Sequence, residues 1–237
     1  MKRIILLFAA AACSLMSAAT VSAQIAVRAD VGPAGYTTTY MADSPGSIAF
    51  GIGARVGADY DFHVKGSFYV TPGLNWSYRL AVENTDDQIT ATEKLQEHFL
   101  NVPVYAKWKF DIKPDKFGMY VYVGPAFSFG LSSKSMIDMM GSLYALDGTY
   151  DYFSGKADFG SRYNDELQKE LDLVGLKYSR FEARLEWGVG FVINKHSELV
   201  LGCDLGLTNK LKGENWKNYY MTGSTAFIGY RYRFGKM

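Results

Sequence analysis

The chain has 237 residues, with 25 Lys and Arg against 24 Asp and Glu, so no charge surplus points toward nucleic acid or an anionic membrane surface. It carries 17 Tyr, 15 Phe and 24 Gly, a composition that favours many closely packed strands over helices. Two cysteines, Cys13 and Cys203, are too few for a cysteine metal cluster.

In chain order, residues 1–23 read as a secretory signal. Lys2 and Arg3 form its charged start, Ile4 to Ala12 its apolar core, and Val21-Ser22-Ala23 a small-residue cleavage site before Gln24. A transmembrane anchor needs about 20 unbroken apolar residues, and Ser14, Ser17, Thr20 and Ser22 interrupt the run. The apolar stretch before Cys13 is short for a lipoprotein signal. Cleavage leaves residues 24–237 as one barrel-sized domain. Cys203 is then the single mature cysteine, so an intramolecular disulfide cannot form.

The mature chain alternates with period two over eight stretches: 25–32, 47–60, 67–82, 97–110, 119–131, 181–193, 199–207 and 219–234. In the second stretch Ile48, Phe50, Ile52, Val56 and Tyr60 oppose Gly51, Gly53, Arg55, Gly57 and Asp59. In the third, Phe68, Val70, Leu74, Trp76 and Leu80 oppose Thr71, Gly73, Asn75 and Arg79. In the sixth, Leu185, Trp187, Val189 and Phe191 oppose Glu182, Arg184, Glu186 and Gly188. A soluble sandwich turns its apolar face inward; a membrane barrel inverts this, with lipid outside and polar groups within. Short connections near 61–66, 111–118 and 194–198 alternate with long ones near 33–46, 83–96, 132–180 and 208–218, as periplasmic turns alternate with outer loops. The pattern predicts an all-β fold: an eight-stranded antiparallel up-and-down transmembrane β-barrel with one long extracellular loop. Pro72, Pro103 and Pro125 fall inside the predicted strands, where a missing N–H predicts a bulge or a strand end.

Several short motifs recur in an order that resembles one family. Phe99-Leu100-Asn101-Val102-Pro103 with Lys107, Thr71-Pro72-Gly73-Leu74, Val123-Gly124-Pro125, Trp187-Gly188-Val189-Gly190, Gly206-Leu207-Thr208-Asn209 and the closing Gly229-Tyr230-Arg231-Tyr232-Arg233-Phe234 are similar to the PorT-like outer-membrane β-barrel proteins of Bacteroidota. The first strand departs from that family's usual Gly-x-Asn ending, reading Arg28-Ala29-Asp30-Val31-Gly32. Phe227 stands where the terminal insertion signal usually has a polar residue. The resemblance implies an outer-membrane location and, through one member, an association with type IX protein secretion. It also implies outer-membrane lipid, the barrel-assembly machinery and envelope or secretion proteins as partners. Nucleic acid is not among them.

Three features could carry function. Arg28, Asp30, Arg55, Asp59, Arg79, Lys107, Glu182, Arg184, Glu186, Asp204, Arg231 and Arg233 share the inner phase. An eight-stranded interior is just wide enough to be filled by side chains, so these residues form either a salt-bridged plug or a narrow ion path. The segment 132–180 carries Tyr144, Tyr150, Tyr152, Phe153, Phe159 and Tyr163, too apolar for a solvated tail. It either folds over the barrel mouth or presents a partner-binding surface, and Asn164 to Val174 within it predicts a short amphipathic helix. A lipid A-modifying enzyme would need a histidine beside a nucleophile. Of His63, His98 and His196 only His98, next to Glu97, lies near the outer end of a predicted strand, and no nucleophile motif accompanies it. Asp147 and Asp151 lack EF-hand spacing for Ca²⁺, and no cofactor or metal motif appears. The reading is a non-enzymatic barrel that presents loops for binding or assembly, with a small passive pore and a lipid A-modifying enzyme as alternatives.

Overall fold

The computed structural model describes residues 24–40, 48–86, 90–113, 117–140, 145–159, 164–194 and 196–234; the signal segment 1–23 lies outside them. In chain order these are β1 (Gln24–Tyr40), β2 (Ile48–Lys65), β3 (Phe68–Asp86), β4 (Thr90–Lys113), β5 (Phe117–Met140), β6 (Ala145–Asp151), β7 (Lys156–Asp158), α1 (Asn164–Val174), β8 (Lys177–Tyr178), β9 (Phe181–Val192), β10 (Ser197–Gly206), β11 (Leu211–Lys212) and β12 (Tyr219–Arg233).

Eight of the strands form a closed antiparallel ring, β1-β2-β3-β4-β5-β9-β10-β12, in which β12 returns to pair with β1. Closure leaves no strand edge in the wall, which backbone groups in hydrocarbon require. Alternation decides which side chain faces where. Along β5, Tyr120, Tyr122, Ala126 and Ser128 are buried inside, while Val121, Val123, Phe129 and Leu131 are exposed outside. Val27, Ile52, Leu74, Trp108, Trp187, Leu201 and Ile228 continue this outer belt on the other strands. Inside, glycines give room to rings: a methyl group at Gly190 would meet the Tyr120 ring at 2.0 Å, and one at Gly202 the Phe227 ring at 2.4 Å. The Gly-x-Gly element of β9 is therefore space for an aromatic layer.

Two expectations are corrected. First, the prolines carry no bulges. The β3–β4 ladder passes from Pro72↔Val104 to Asn75↔Asn101, and the β4–β5 ladder from Pro103↔Ala126 to Ala106↔Val123, with no change of register. Pro125 pairs directly with Leu185. Neighbouring bonds hold the register where one donor is missing; the irregularities lie at His63/Lys65, His98/Phe99 and Asp111/Lys113 instead.

Second, the segments predicted as long loops are largely paired. β1 continues to Tyr40, β3 to Asp86, and β4 begins at Thr90, opposite Asp86. Segment 132–180 starts as more of β5, then adds β6 and β7 to that strand's edge, α1, and β8, which pairs with β11 in a separate two-stranded sheet. α1 spans the stretch predicted as a helix. It seals the free edge of β7, since the Gln168 side-chain amide accepts from the Ala157 N–H at 2.8 Å and donates to the Gly155 carbonyl at 2.9 Å. At the opposite end the turns are short: Gly66, in the left-handed region at φ 56°, turns β2 into β3. Asn194 Oδ1 accepts the N–H groups of His196 and Ser197 at 2.9 and 2.8 Å between β9 and β10.

Candidate functional site

The lumen holds its charges in three levels. Nearest the short turns, the Arg231 guanidinium meets Asp59 at 2.9 Å, Glu198 at 2.7 Å and Asp61 at 3.1 Å. Lys107 and Lys109 reach the two oxygens of Asp61 at 2.7 and 2.9 Å, and Arg233 pairs with Glu198. In the middle, Arg28 and Arg55 share Asp30 at 2.8 and 2.7 Å, and Arg55 grips Glu186 at 2.7 and 3.1 Å. Both guanidiniums lie over the Phe227 ring, 4.9 and 4.2 Å from its centroid, so this residue is an inward cation–π platform. Above it, Arg184 joins Glu182 at 2.5 Å and Asp204, while Arg79 reaches Glu182 at 3.5 Å and stacks over Phe99.

All twelve inner-phase residues named from the sequence thus face the lumen, each in an ion pair. Buried charges are tolerated only when paired and hydrogen-bonded, and here each level joins strands from opposite walls. The void between the middle and upper levels measures about 30 Å³, beside Asn101, Ser128 and Thr225, which is water-sized.

Sequence reasoning missed Asp61, Glu97, Lys109, Glu198 and Lys210. Lys109 and Glu97 share the phase of Lys107 on β4, and Asp61 and Glu198 continue the inner phases of β2 and β10 into what read as turns. Glu97 and Lys109 stand within the predicted stretch 97–110 and follow from its phase alone, and carrying the period past the predicted ends finds Asp61 and Glu198. Lys210 lies outside any strand, and no periodic signal marks it.

At the mouth opposite the short turns the pattern reverses. On β4 above the belt, Leu95 points inward between outward Lys94 and Gln96, whereas lower down Lys107 points inward and Trp108 outward. The wall there packs like an ordinary sheet around its own apolar core of Tyr36, Ala81, Leu95, Tyr150, Tyr152, Tyr178, Leu211 and Met221. Lys210 enters from the β10–β12 connection and pairs with the fully buried Glu97, which also accepts from Tyr36 and, at 2.7 Å, from Ser133. Its ammonium lies 4.1 Å from the Tyr36 ring centroid and 4.8 Å from that of Tyr178. Burial lowers the Lys210 pKa against the pull of Glu97, and burial with the nearby carboxylates of Glu97 and Glu93 pushes the Tyr178 hydroxyl well up.

Of the aromatic residues proposed for recognition, Tyr150, Tyr152 and Phe153 turn toward this core. Tyr150 is buried and donates to the Leu176 carbonyl at 2.6 Å; Tyr152, stacked 4.0 Å from Tyr178, donates to Glu93 at 2.7 Å. Phe153 packs on Gly130 under the Arg180 guanidinium, and Phe159 packs on Gly148. Tyr144 and Tyr163 lie outside the described residues. Between the rings and the wall remains a cavity of about 310 Å³, lined by Tyr36, Leu95, Tyr152, Tyr178, Trp216 and Glu93 among others.

The histidines are dispersed. His98 is on the outer phase, stacked on Trp76 at 5.5 Å and tilted against Tyr78 at 5.1 Å, and so on the opposite face from Glu97. His63 contacts the Gly66 carbonyl at 2.8 Å and His196 the Arg233 carbonyl at 2.9 Å. Asp151 accepts the N–H groups of Phe153 and Ser154, capping a turn; the Asp147 side chain lies outside those described.

No curated protein matches the chain significantly. Solved structures similar to it include Neisserial surface protein A, 14% identical over 89% of this chain and 97% of its own, with a TM-score of 0.46. The attachment invasion locus protein Ail of Yersinia pestis is 10% identical over 90% and 100%, with a TM-score of 0.37. The outer membrane enzyme PagL is 12% identical over 85% and 97%, with a TM-score of 0.40. A family profile described as the outer membrane protein beta-barrel domain matches residues 5–234. With a closed ring, an apolar outer belt and a profile match over nearly its whole length, the chain belongs to the outer membrane β-barrel domain family.

Proposed function

We propose that this outer-membrane barrel neither conducts nor catalyses, and that it works through its outer mouth as a binding or assembly component of the cell envelope. On this reading residues 1–23 are a cleaved export signal, the short turns lie in the periplasm and the capped end faces outward. The motif order that resembles PorT-like proteins of Bacteroidota supports envelope or secretion proteins as its partners. One observation carries the reading: the lumen is closed by paired charges around a water-sized void, while β6, β7, α1, β8 and β11 are all built at the mouth end. Chain length is spent where a partner can reach it.

Phe129↔Phe181 is the last pair between β5 and β9, so replacing residues 132–180 by a short turn keeps that ladder and the β4–β5 pairing from Phe99↔Gly130 downward, and removes only the part of β5 that runs along residues 90–98 of β4. Affinity capture from native envelopes with the intact chain is expected to recover partners that the shortened chain loses. Identical captures would defeat the reading. The purified chain in planar bilayers is expected to give no steady ion-selective conductance; a robust one would favour a passive pore. Lipid A cleavage that disappears in His98→Ala would favour an enzyme.

A further inference from the structure

The mouth cavity holds an unbalanced carboxylate. Glu93 is the charged residue of its lining; the Glu97 and Lys210 buried beneath neutralise one another, and among the described residues no cation lies within ion-pair reach of Glu93. One oxygen of Glu93 accepts Ser135 Oγ at 2.6 Å and Tyr152 Oη at 2.7 Å, which leaves the second for an incoming group. Three hydroxyl donors nearby are already engaged, Tyr36 with Glu97, Tyr152 with Glu93 and Tyr150 with the Leu176 carbonyl. A ligand that enters therefore meets mainly acceptors and rings. Apart from the Thr38 hydroxyl the remaining lining is apolar or aromatic, with Leu95, Leu176, Leu211, Met221 and Trp216, and the volume of about 310 Å³ suits a molecule with one small ring or a short alkyl body. The rings have an internal precedent for such a guest, because Lys210 already places an ammonium over Tyr36 and Tyr178. Aromatic faces beside a carboxylate select organic cations.

We infer that the outer mouth is a binding site for a small organic ammonium ion with an apolar body, its charge set against Glu93 and its body among Leu95, Tyr152, Tyr178 and Trp216. The inference rests on the reading of the mouth as the working end and names what that end takes up. Neutral alcohols of the same shape lack the charge that Glu93 answers, and carboxylates are repelled by it.

The test is calorimetric titration of the full mature chain, in nanodiscs of zwitterionic lipid, with benzyltrimethylammonium, benzyl alcohol and phenylacetate. Saturable binding is expected for the cation alone. Glu93→Gln, which keeps the hydrogen bonds from Ser135 and Tyr152 available, is expected to weaken it at least tenfold. Ala49→Leu, which fills the cavity from β2 without touching Glu93, is expected to abolish it. Native-like migration of both variants on unheated gels establishes that each barrel has closed. Equal cation binding by wild type and Glu93→Gln, or equal uptake of cation and alcohol, would overturn the inference. If envelope capture still depends on residues 132–180 in that event, the mouth remains a binding surface and the ammonium assignment alone is lost.

Discussion

Replacing Arg184 with methionine is expected to destabilise the barrel by about 3–5 kcal/mol, the usual cost of removing one partner from a buried ion pair. Arg184 is the hub of the upper lumen level. It holds Glu182 and Asp204, and it donates to the Gly223 carbonyl at 3.1 Å. Without it Asp204 loses its cation and Glu182 keeps only the longer contact to Arg79 at 3.5 Å, so two carboxylates face one guanidinium. Methionine fills much of the volume, so the loss reports charge and not a void. Urea-induced unfolding from lipid vesicles, followed by tryptophan fluorescence, measures it. Lys217→Met is the control, because the Lys217–Glu214 pair is solvent-exposed and such pairs contribute little. Equal midpoints for the two variants would mean that the lumen charges are solvated and the plug is not closed.

The second large effect lies on the other side of the wall. Val123 is exposed on β5, midway along the outward row that runs from Phe117 to Leu131. Val123→Arg places a guanidinium in the hydrocarbon, and a loss of about 2–4 kcal/mol is expected for a site near the bilayer midplane. Leu131→Arg, at the end of the row, is expected to cost about 0–1 kcal/mol, because the long side chain reaches the headgroups. The gradient between the two sites is the informative quantity. A water-filled surroundings would give none, and both substitutions would then be tolerated alike in the same unfolding assay.

The barrel was legible because lipid contact enforces a strict code. Every second residue of the belt must be apolar, and its neighbours must be small or charged to fit an eight-stranded interior. Ile52, Val56 and Trp187 against Arg55, Asp59 and Glu186 follow that code. Strand ends were not legible, because the code stops at the membrane surface. Tyr36, Ala81 and Leu95 point inward where charged residues do lower down, so a reading by polarity ends the strand where the alternation has only changed sides. The same reversal hid the mouth. Its cavity gathers Tyr36, Glu93, Tyr178 and Trp216 from parts of the chain joined only by closure of the ring and the docking of β8 and β11. Lys210 was invisible for a related reason: its role comes from Glu97, more than a hundred residues away, and no local pattern encodes that distance.

Two tryptophans test the inside-out arrangement most directly. Trp187 stands exposed on β9, paired across the ladder with Val123, while Trp216 lies at the mouth, its indole N–H donating to the Val174 carbonyl at 3.0 Å. Single-tryptophan chains retaining one or the other, reconstituted in lipids brominated at mid-chain, give a direct reading of what each indole touches. Strong bromine quenching of Trp187, with Trp216 quenched by aqueous iodide instead, is the expected result. Trp187 indifferent to brominated chains and open to iodide would contradict it.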